Sequence, residues 1–419
     1  MSVAAAAPDG RRARKETHVR FAESDSPPVS ESTVTSGAST VPSSPPDSPV
    51  ASHRGSLAKR RRHEQSTGAF VIAHRDRQYQ FTKRLSGGGG HATVYLATEL
   101  ESKRVYAVKR FEIASCGRTA AELVREVEIL KSLQHECSAA LDSVFRSATH
   151  FYMVLEYVAA EELYDRVTRQ LDLNQTVHRK GALDERTARA LFLQLLAAVK
   201  HCHRKGVAHR DIKLDNILVG RDDKLKLVGF GLAERVDPTR PTLYTFAGTR
   251  NYMAPEALEM ESELRRESLA ALRASAAGKQ PPARAPRVSY DAFAADVWSC
   301  AVTLFAMVAG RLPFDGGDPI ATRSRVLDAT FKMPEYASPA LIDLFARVFV
   351  ADPTRRLPLE AVLAHPWCSP DGSAPLMETP TLAASVPSAQ PTQDRKVLTG
   401  CSTREDAGGG VGRTTPILA

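Results

Sequence analysis

The sequence contains few cysteines, no C-x-x-C pair and no long uninterrupted apolar run. Its six cysteines are scattered through 419 residues, so neither a zinc site nor a disulfide framework is indicated, and a reducing compartment is expected. The most apolar run, 297–310, is too short to span a bilayer and is predicted to be a buried core helix. The apolar stretch 3–7 is too short for a signal peptide and follows no basic segment. A membrane partner is therefore not expected.

The two ends of the chain lack apolar periodicity. Residues 1–78 are rich in Ser, Pro, Ala and Arg, and residues 368–419 are rich in Ser, Thr, Pro and Gly. Such segments bury too little apolar surface to offset the entropy lost on ordering, so both are expected to be disordered tails. The folded domain is expected to span 79–367.

The net charge of +8 is not spread evenly, because basic clusters lie in the N-terminal tail at 11–15 and 59–62. Solvated charge is the simplest explanation, and nuclear import or nucleic-acid contact is the alternative. No aromatic residues interleave with these clusters, which argues against a stacking surface for single strands. Nucleic acid is therefore not an expected partner, and the expected location is the cytoplasm, the nucleus or both.

Two motifs lie close together in the second half of the chain. Residues 209–216 read His-Arg-Asp-Ile-Lys-Leu-Asp-Asn, and residues 226–233 read Lys-Leu-Val-Gly-Phe-Gly-Leu-Ala. Together they resemble the catalytic loop and the metal-binding loop of eukaryotic protein kinases. In that family the position of Gly229 is an aspartate, which holds Mg²⁺ against the nucleotide phosphates.

The resemblance implies an α+β, bilobal protein kinase fold with a small β-rich N-terminal lobe, one long helix in that lobe, and a larger, mostly helical C-terminal lobe. It also implies that Asp211 accepts or orients the proton of the acceptor hydroxyl and that Lys213 neutralises the moving phosphoryl group. Asn216 would hold a metal ion. Thr249, in a segment similar to the end of the kinase activation segment, would contact Asp211 and Lys213.

A glycine-rich segment at 85–97 reads as strand, turn and strand. Glycine lets backbone N–H groups approach phosphate, and the segment resembles the kinase glycine-rich loop. It departs from the family pattern at His91, where an aromatic is usual, and at Ala92, which replaces the third glycine. In the next strand, alternation places Ala107 and Lys109 on one face.

Helical spacing of apolar residues then predicts a helix over 120–133, and Glu126 falls where the family has the glutamate that pairs with the lysine. Residues 151–158 resemble the hinge between the two kinase lobes, and Glu162 stands where many kinases carry an acid near ribose and substrate. The residues implied to contact ATP are Leu85, Gly87, Gly89, Val94, Ala107, Lys109, Glu126, the backbone of Glu156 and Val158, Glu162 and Leu218.

The sequence therefore predicts a Ser/Thr protein kinase, a transferase of the ATP γ-phosphate, with a compromised metal site. Losing the carboxylate at position 229 removes the main anchor for Mg²⁺ or Mn²⁺, so the metal is expected to be weakly held. A pseudokinase, acting as an ATP-binding or scaffold module, is nearly as well supported. A third hypothesis is an adaptor whose basic tail binds nucleic acid. The retention of both Lys213 and Thr249 argues that chemistry survives or was lost recently.

The segment 248–256 and the closing His365-Pro366-Trp367 resemble most the calcium/calmodulin-dependent group, including the AMP-activated and checkpoint-type kinases. The expected partners are protein substrates with a basic residue before the Ser or Thr, facing Glu162 and Asp215, and an upstream activating kinase.

Two further pairings are implied in the C-terminal half, between Glu256 and Arg356 and between Asp296 and the catalytic loop above it. An insertion at 259–288 has a helix-prone first half. A tolerated surface loop is favoured over a docking element for this insertion.

Overall fold

The N-terminal part of the chain folds into a seven-stranded antiparallel sheet, in the order β1-β2-β3-β4-β5-β7-β6. Its strands are β1 Glu31–Thr33, β2 Phe70–His74, β3 Arg77–Ser86, β4 Thr93–Glu99, β5 Val105–Glu112, β6 Leu141–Arg146 and β7 His150–Glu156. The computed structural model describes residues 31–33, 70–86, 92–176, 181–276 and 289–369. The predicted tails beyond these ranges, and the predicted site residues Gly87 and Gly89 together with His91, lie outside the described residues.

The sheet begins upstream of the predicted domain boundary at 79. Strand β2 pairs with β3 along its whole length, and its central residue Ile72 is fully buried. Tyr79, the predicted first residue of the domain, lies within β3. Five residues next to a polar, basic stretch give too little periodicity to mark β2 as a strand from the sequence.

The two faces of the sheet differ, as the pleat requires. One face carries a core cluster rich in aromatic side chains, and Tyr106 and Val108 of β5 belong to this cluster. The opposite face of β5 carries Ala107 and Lys109, which are half-buried. This is the alternation that the sequence predicts, and it directs Lys109 away from the aromatic core.

Helix α1, Ala120–Ser132, packs beside the sheet and starts at a capping box. The Thr119 side chain accepts from the backbone N–H of Glu122, while the Glu122 carboxylate accepts from the Thr119 N–H. This exchange satisfies two N–H groups that the first helical turn leaves unpaired. Most of the buried residues of α1 are apolar, and Glu126 is the buried exception.

The C-terminal part is mostly helical and is built around α3 and α5, whose inner residues belong to one large apolar cluster. Among the described residues, α5 is the one helix long and apolar enough to cross a membrane by length and composition, and 78% of that stretch is buried within the protein. The predicted core helix is thus confirmed, and it is longer than the 297–310 run. The helices are α1 Ala120–Ser132, α2 Leu163–Thr176, α3 Glu185–Arg204, α4 Pro255–Ala276, α5 Ala292–Ala309, α6 Pro319–Leu327, α7 Pro339–Val348 and α8 Leu359–Leu363.

Three small sheets accompany the helices, in the strand orders β11-β10-β8, β12-β9 and β13-β14. Helix α4 runs without a break from Pro255 into the predicted insertion as far as Ala276, and 277–288 lie outside the described residues. The described residues all fall within one compact unit. The strands are β8 Ala160–Glu162, β9 Val207–Ala208, β10 Ile217–Gly220, β11 Leu225–Leu227, β12 Glu234–Arg235, β13 Thr242–Leu243 and β14 Tyr290–Asp291.

Candidate active site

The loop 209–216 rests on a buried carboxylate. Asp296 of α5 is 1% exposed and accepts from the backbone N–H groups of His209 and Arg210, each at 2.9 Å. The His203 ring lies 2.9 Å from the same carboxylate. Burial by itself raises the pKa of Asp296, but His203 and the other donors hold it below its ordinary value. An ionised group therefore fixes the loop, in the arrangement that the sequence predicts.

His209 joins this loop to the segment that carries Gly229. Its Nε2 atom lies 3.0 Å from the Val228 carbonyl oxygen, and its Nδ1 accepts from the Asp211 N–H at 3.2 Å. One nitrogen thus donates and the other accepts, which is the pattern of a neutral imidazole. Complete burial lowers the pKa of His209, so the ring stays neutral at pH 7.

Asp211, Lys213 and Thr249 form one hydrogen-bonded group. The Thr249 hydroxyl donates to Asp211 Oδ1 at 2.6 Å and accepts from Lys213 Nζ at 2.8 Å. Lys213 Nζ also lies 3.0 Å from Asp211 Oδ2. The catalytic loop and the end of the activation segment therefore meet at one carboxylate, which is half-buried and faces an ammonium group.

Gly229 adopts a left-handed conformation, with φ +85° and ψ 35°. The side chain of Asn216 lies against it and donates to the carbonyl oxygen and to Oδ2 of Asp211, at 2.7 and 2.8 Å. A Cβ atom on residue 229 would stand 2.5 Å from Asn216 Cγ. The amide of Asn216 thus occupies the space into which a side chain at 229 would project.

These residues do not fit the two-ligand magnesium site of the kinase family. Magnesium prefers several hard oxygen ligands, whereas position 229 offers no side chain. Asn216 binds Asp211 through its amide nitrogen, and its Oδ1 lies against Gly229, so this oxygen is the one side-chain ligand that the two positions supply. Among the residues that the structure describes, no group of three or more His, Cys, Asp or Glu is placed to hold a metal ion.

The predicted pair of Lys109 and Glu126 is formed, with Lys109 Nζ 2.7 Å from Glu126 Oε1. A second cation, Arg118, binds Glu126 Oε2. Arg118 also donates to the carbonyl oxygens of Glu122 at 3.1 Å and of Gly231 at 3.0 Å. Burial by itself raises the pKa of Glu126, but Lys109 and Arg118 hold it below its ordinary value. Nothing in the sequence singled out Arg118, since no motif includes the residue before the N-cap of α1.

The segment 157–159 connects the two parts of the fold, since β7 belongs to the large sheet and β8 to the sheet of β10 and β11. Val158 lies in this connection. The Glu156 carboxylate accepts from Lys226 Nζ, which lies 2.8 Å from each oxygen. It also accepts from the Ala140 N–H at 3.2 Å. Sequence reasoning used only the backbone of Glu156 and missed this ion pair, which ties the end of β7 to β11.

The remaining predicted nucleotide-binding residues lie on strands. Val94 is opposite Lys109 in the β4–β5 pair, and Leu218 is opposite Glu162 in the β10–β8 pair. Leu85 lies near the end of β3, next to the segment 87–91. Sheet register thus places Val94 beside the lysine, and places Leu218 and Glu162 on the other side of the 157–159 connection.

The start of the activation segment is held by arginines. Glu234 of β12 binds Arg125 of α1 and lies 3.7 Å from Arg210 of the catalytic loop. Arg235 donates to the Glu128 carbonyl oxygen at 3.3 Å. The Glu234 carboxylate thus links helix α1 to the catalytic loop through Arg125 and Arg210.

Two ion pairs connect the region after Thr249 to the helices below. The predicted pair of Glu256 and Arg356 is formed by two bonds of 2.6 and 2.8 Å, and the Arg356 side chain is 1% exposed. Arg250, directly after Thr249, binds Glu261 of α4. The helix that enters the predicted insertion therefore contacts the activation segment.

A β-rich sheet with one helix, joined to a helical part through a site with this arrangement of Lys109, Glu126 and Asp211, defines a protein kinase domain. The protein kinase domain family matches residues 79–269 and 281–368, which is more than half of the chain. The chain therefore belongs to the protein kinase family. Residues 270–280, between the two matched segments, lie within the predicted insertion.

Plant kinases are among the curated relatives of this chain. The chain is 32% identical over 343 residues to CBL-interacting protein kinase 21 of Oryza sativa subsp. japonica, covering 79% of this chain and 58% of that protein. It is 34% identical over 288 residues to CBL-interacting protein kinase 12 of the same plant, covering 68% and 46%. It is 32% identical over 289 residues to CBL-interacting serine/threonine-protein kinase 13 of Arabidopsis thaliana, covering 68% and 50%. The chain thus spans about half the length of these relatives.

Proposed function

We propose that the chain transfers the γ-phosphoryl group of ATP to Ser or Thr hydroxyls of proteins, without depending strongly on a divalent metal. The observation that carries this function is the Thr249 hydroxyl, held between Asp211 at 2.6 Å and Lys213 at 2.8 Å. A scaffold that only binds nucleotide gains nothing from aligning these three groups. Phosphoryl transfer, in contrast, depends mostly on positioning and on charge neutralisation.

In this function Asp211 takes the proton of the acceptor hydroxyl while the new oxygen–phosphorus bond forms and the bond to the leaving ADP breaks. Lys213 faces the same carboxylate and offsets the negative charge on the phosphoryl group in transit. Asp296 and His209 keep the loop in place, because they hold the backbone on which Asp211 is carried. Lys109, paired with Glu126, would hold the phosphates at the other side of the cleft.

Mg²⁺ or Mn²⁺ is expected to contribute little, because Gly229 supplies no ligand and Asn216 Oδ1 is the one side-chain oxygen left at these two positions. The ligands of a metal ion would be mainly phosphate oxygens and water, as is common for Mg²⁺ where protein ligands are few. We expect a low rate from this arrangement, because the charge on the phosphoryl group is less well neutralised. Each tenfold loss in rate corresponds to about 1.4 kcal/mol of transition-state stabilisation.

A pseudokinase is the second candidate, and the contact between Asn216 and Asp211 favours it. Both oxygens of Asp211 are engaged, Oδ1 by Thr249 and Oδ2 by Asn216 and Lys213. As a pseudokinase, the chain would bind ATP and serve as a scaffold without transferring phosphate. The two candidates differ in whether the group at Asp211 rearranges when an acceptor hydroxyl arrives.

Substrates with a basic residue before the Ser or Thr, and an upstream kinase acting on the activation segment, belong to the proposal. So does a location in the cytoplasm, the nucleus or both. The support for a basic substrate is a pair of acids: Glu162, which is opposite Leu218 in the β10–β8 pair, and Asp215, two residues after Lys213.

Transfer of radiolabelled phosphate from ATP to a Ser/Thr peptide library tests this function. The full chain is compared with Asp211→Asn as the blank and with Thr249→Ala. Thr249→Ser is the matched control, since it keeps the hydroxyl. Incorporation above the Asp211→Asn blank, lost in Thr249→Ala and kept in Thr249→Ser, is the expected result. Incorporation equal to the blank, with ATP still bound, would establish the pseudokinase.

A further inference from the structure

Arg118 shares the Glu126 carboxylate with Lys109, although no kinase motif includes it. It directly precedes Thr119, the N-cap of α1, and its side chain is 13% exposed. Three of its N–H groups bind described residues, namely the Glu126 carboxylate and the carbonyl oxygens of Glu122 and Gly231. A guanidinium has five N–H donors, so two remain after these contacts.

Arg118 and Lys109 share one carboxylate. Lys109 binds Oε1 of Glu126 and Arg118 binds Oε2, so the group of three carries a net charge of about +1, since Arg and Lys are both cations at pH 7. Glu126 is 3% exposed, and the Lys109 and Arg118 side chains are 20% and 13% exposed. A charge that is partly shielded from water acts more strongly on an anion nearby than an exposed charge does.

The group of three is placed beside the segment that lost its carboxylate. A Cβ atom built on Gly231 would be 3.6 Å from each of Arg118 Nη1, Lys109 Nζ and Glu126 Oε2. Gly231 follows Gly229 by two residues, and its carbonyl oxygen accepts from Arg118 at 3.0 Å. With no carboxylate at 229, this charge faces the cleft without an opposing side chain from that residue.

We propose that Arg118 is a second phosphate-binding cation, which supplies the charge that a metal supplies in other kinases and lets nucleoside di- and triphosphates bind without a divalent cation. This role rests on the proposed nucleotide cleft of a kinase. It requires no movement of α1, because the guanidinium already lies next to Lys109 and keeps two donors. Both Nη2 hydrogens are already used, so the two remaining donors, on Nε and Nη1, each offer one charge-assisted hydrogen bond to a phosphate oxygen.

The alternative is that Arg118 only fastens α1 to the turn at 230–232. A role of that kind predicts that loss of Arg118 weakens the binding of every nucleotide alike, because the whole cleft would shift. A phosphate-binding role predicts a loss that depends on the phosphates, with no effect on adenosine.

Isothermal titration calorimetry of the full chain with adenosine, AMP, ADP and ATP, in EDTA and in Mg²⁺, separates the two roles. Arg118→Met is expected to weaken ATP and ADP binding in EDTA at least about tenfold, as expected for loss of a charge-assisted contact, and to leave adenosine binding unchanged. Arg118→Lys should recover part of the affinity. The matched control is Arg125→Met, within α1 and seven residues after Arg118. It removes the contact with Glu234 and should leave the ATP affinity unchanged.

An equal loss for adenosine and ATP, or an ATP affinity that Arg118→Met does not change, would overturn the role. So would a wild-type chain that binds ATP only with Mg²⁺. That result would leave phosphoryl transfer in Mg²⁺ standing and would contradict transfer in EDTA. A phosphate-dependent loss in a chain that transfers no phosphate would support Arg118 and reject the kinase function.

Discussion

The Asn216 side chain fills the space beside Gly229: a Cβ atom at position 229 would stand 2.5 Å from Asn216 Cγ. The two residues are the places where kinases carry their metal ligands, and here one has no side chain while the other binds Asp211 through two hydrogen bonds. Position 229 therefore supplies no metal ligand, and the Asn216 oxygen beside it is the one side-chain ligand that these two positions retain.

Gly229→Asp is expected to raise the rate of phosphoryl transfer in Mg²⁺ at least about tenfold, because it restores a carboxylate ligand. Without metal, the same change should lower the free energy of unfolding by about 1–3 kcal/mol, since it strains a left-handed residue and displaces Asn216 from Asp211. Peptide phosphorylation rates and urea unfolding, each with and without Mg²⁺, measure both effects.

Gly229→Ala is the control for this substitution. It brings the same Cβ against Asn216 and should cost similar stability, but it adds no metal ligand and should not raise the rate. If Gly229→Asp is no faster than the native chain in Mg²⁺, metal anchoring does not limit the reaction.

Asp296→Asn is expected to lower the free energy of unfolding by about 3–5 kcal/mol at pH 7, because the amide cannot replace an ionised acceptor of three donors. The folded pKa of Asp296 is lowered, so its contribution is present above the ordinary aspartate pKa of 3.8 and is lost as the pH falls below it. The difference between the two chains in urea unfolding should therefore shrink in acid. An unchanged difference at pH 7 and at pH 3 would count against an ionised Asp296.

Folding stability is expected to fall as the pH drops from 7 to 5, with His209 contributing. The folded pKa of His209 is lowered from 6.5, so the unfolded chain binds a proton first as the pH falls. The contribution of His209 is complete above 6.5 and decreases below that value, by up to about 1.4 kcal/mol per pH unit. His209→Gln should flatten the pH dependence of the urea midpoint in this window. The same slope in both chains would exclude a neutral buried His209.

Glu162→Ala is expected to weaken the preference for arginine before the acceptor Ser or Thr, by about three- to tenfold on a peptide array, because a carboxylate in a partly enclosed groove favours a cationic substrate. The neighbouring Glu161, which binds Arg169 at 2.8 Å, provides the control, and Glu161→Ala should leave the preference unchanged. A preference for acidic peptides, or for proline directly after the acceptor, would contradict basic substrate selection by Glu162.

Contiguous motifs made the fold and the central site predictable. The residues of 209–216 and Thr249 belong to short patterns tied to chemistry, and the pair of Lys109 and Glu126 follows from strand alternation and helical spacing. Arg118 was not predictable, because its contact with the carbonyl oxygen of Gly231 joins residues 113 positions apart and depends on no motif.

Two other features also depend on three-dimensional placement. Lys226 and Glu156 pair between two sheets, and Glu234 binds an arginine of α1. Each consists of common surface residue types that carry no positional signal in a single sequence. The contact between Asn216 and Gly229 is likewise visible only once the two segments are packed together.

The metal dependence of phosphoryl transfer tests the central claim most directly. The full chain and Asp211→Asn are incubated with radiolabelled ATP and a Ser/Thr peptide library in Mg²⁺, in Mn²⁺ and in EDTA. We expect slow transfer above the Asp211→Asn blank in all three conditions, with EDTA lowering the rate by less than about tenfold, equivalent to about 1.4 kcal/mol. Transfer that disappears in EDTA, or that never exceeds the blank, would contradict a kinase that works without a strong metal site.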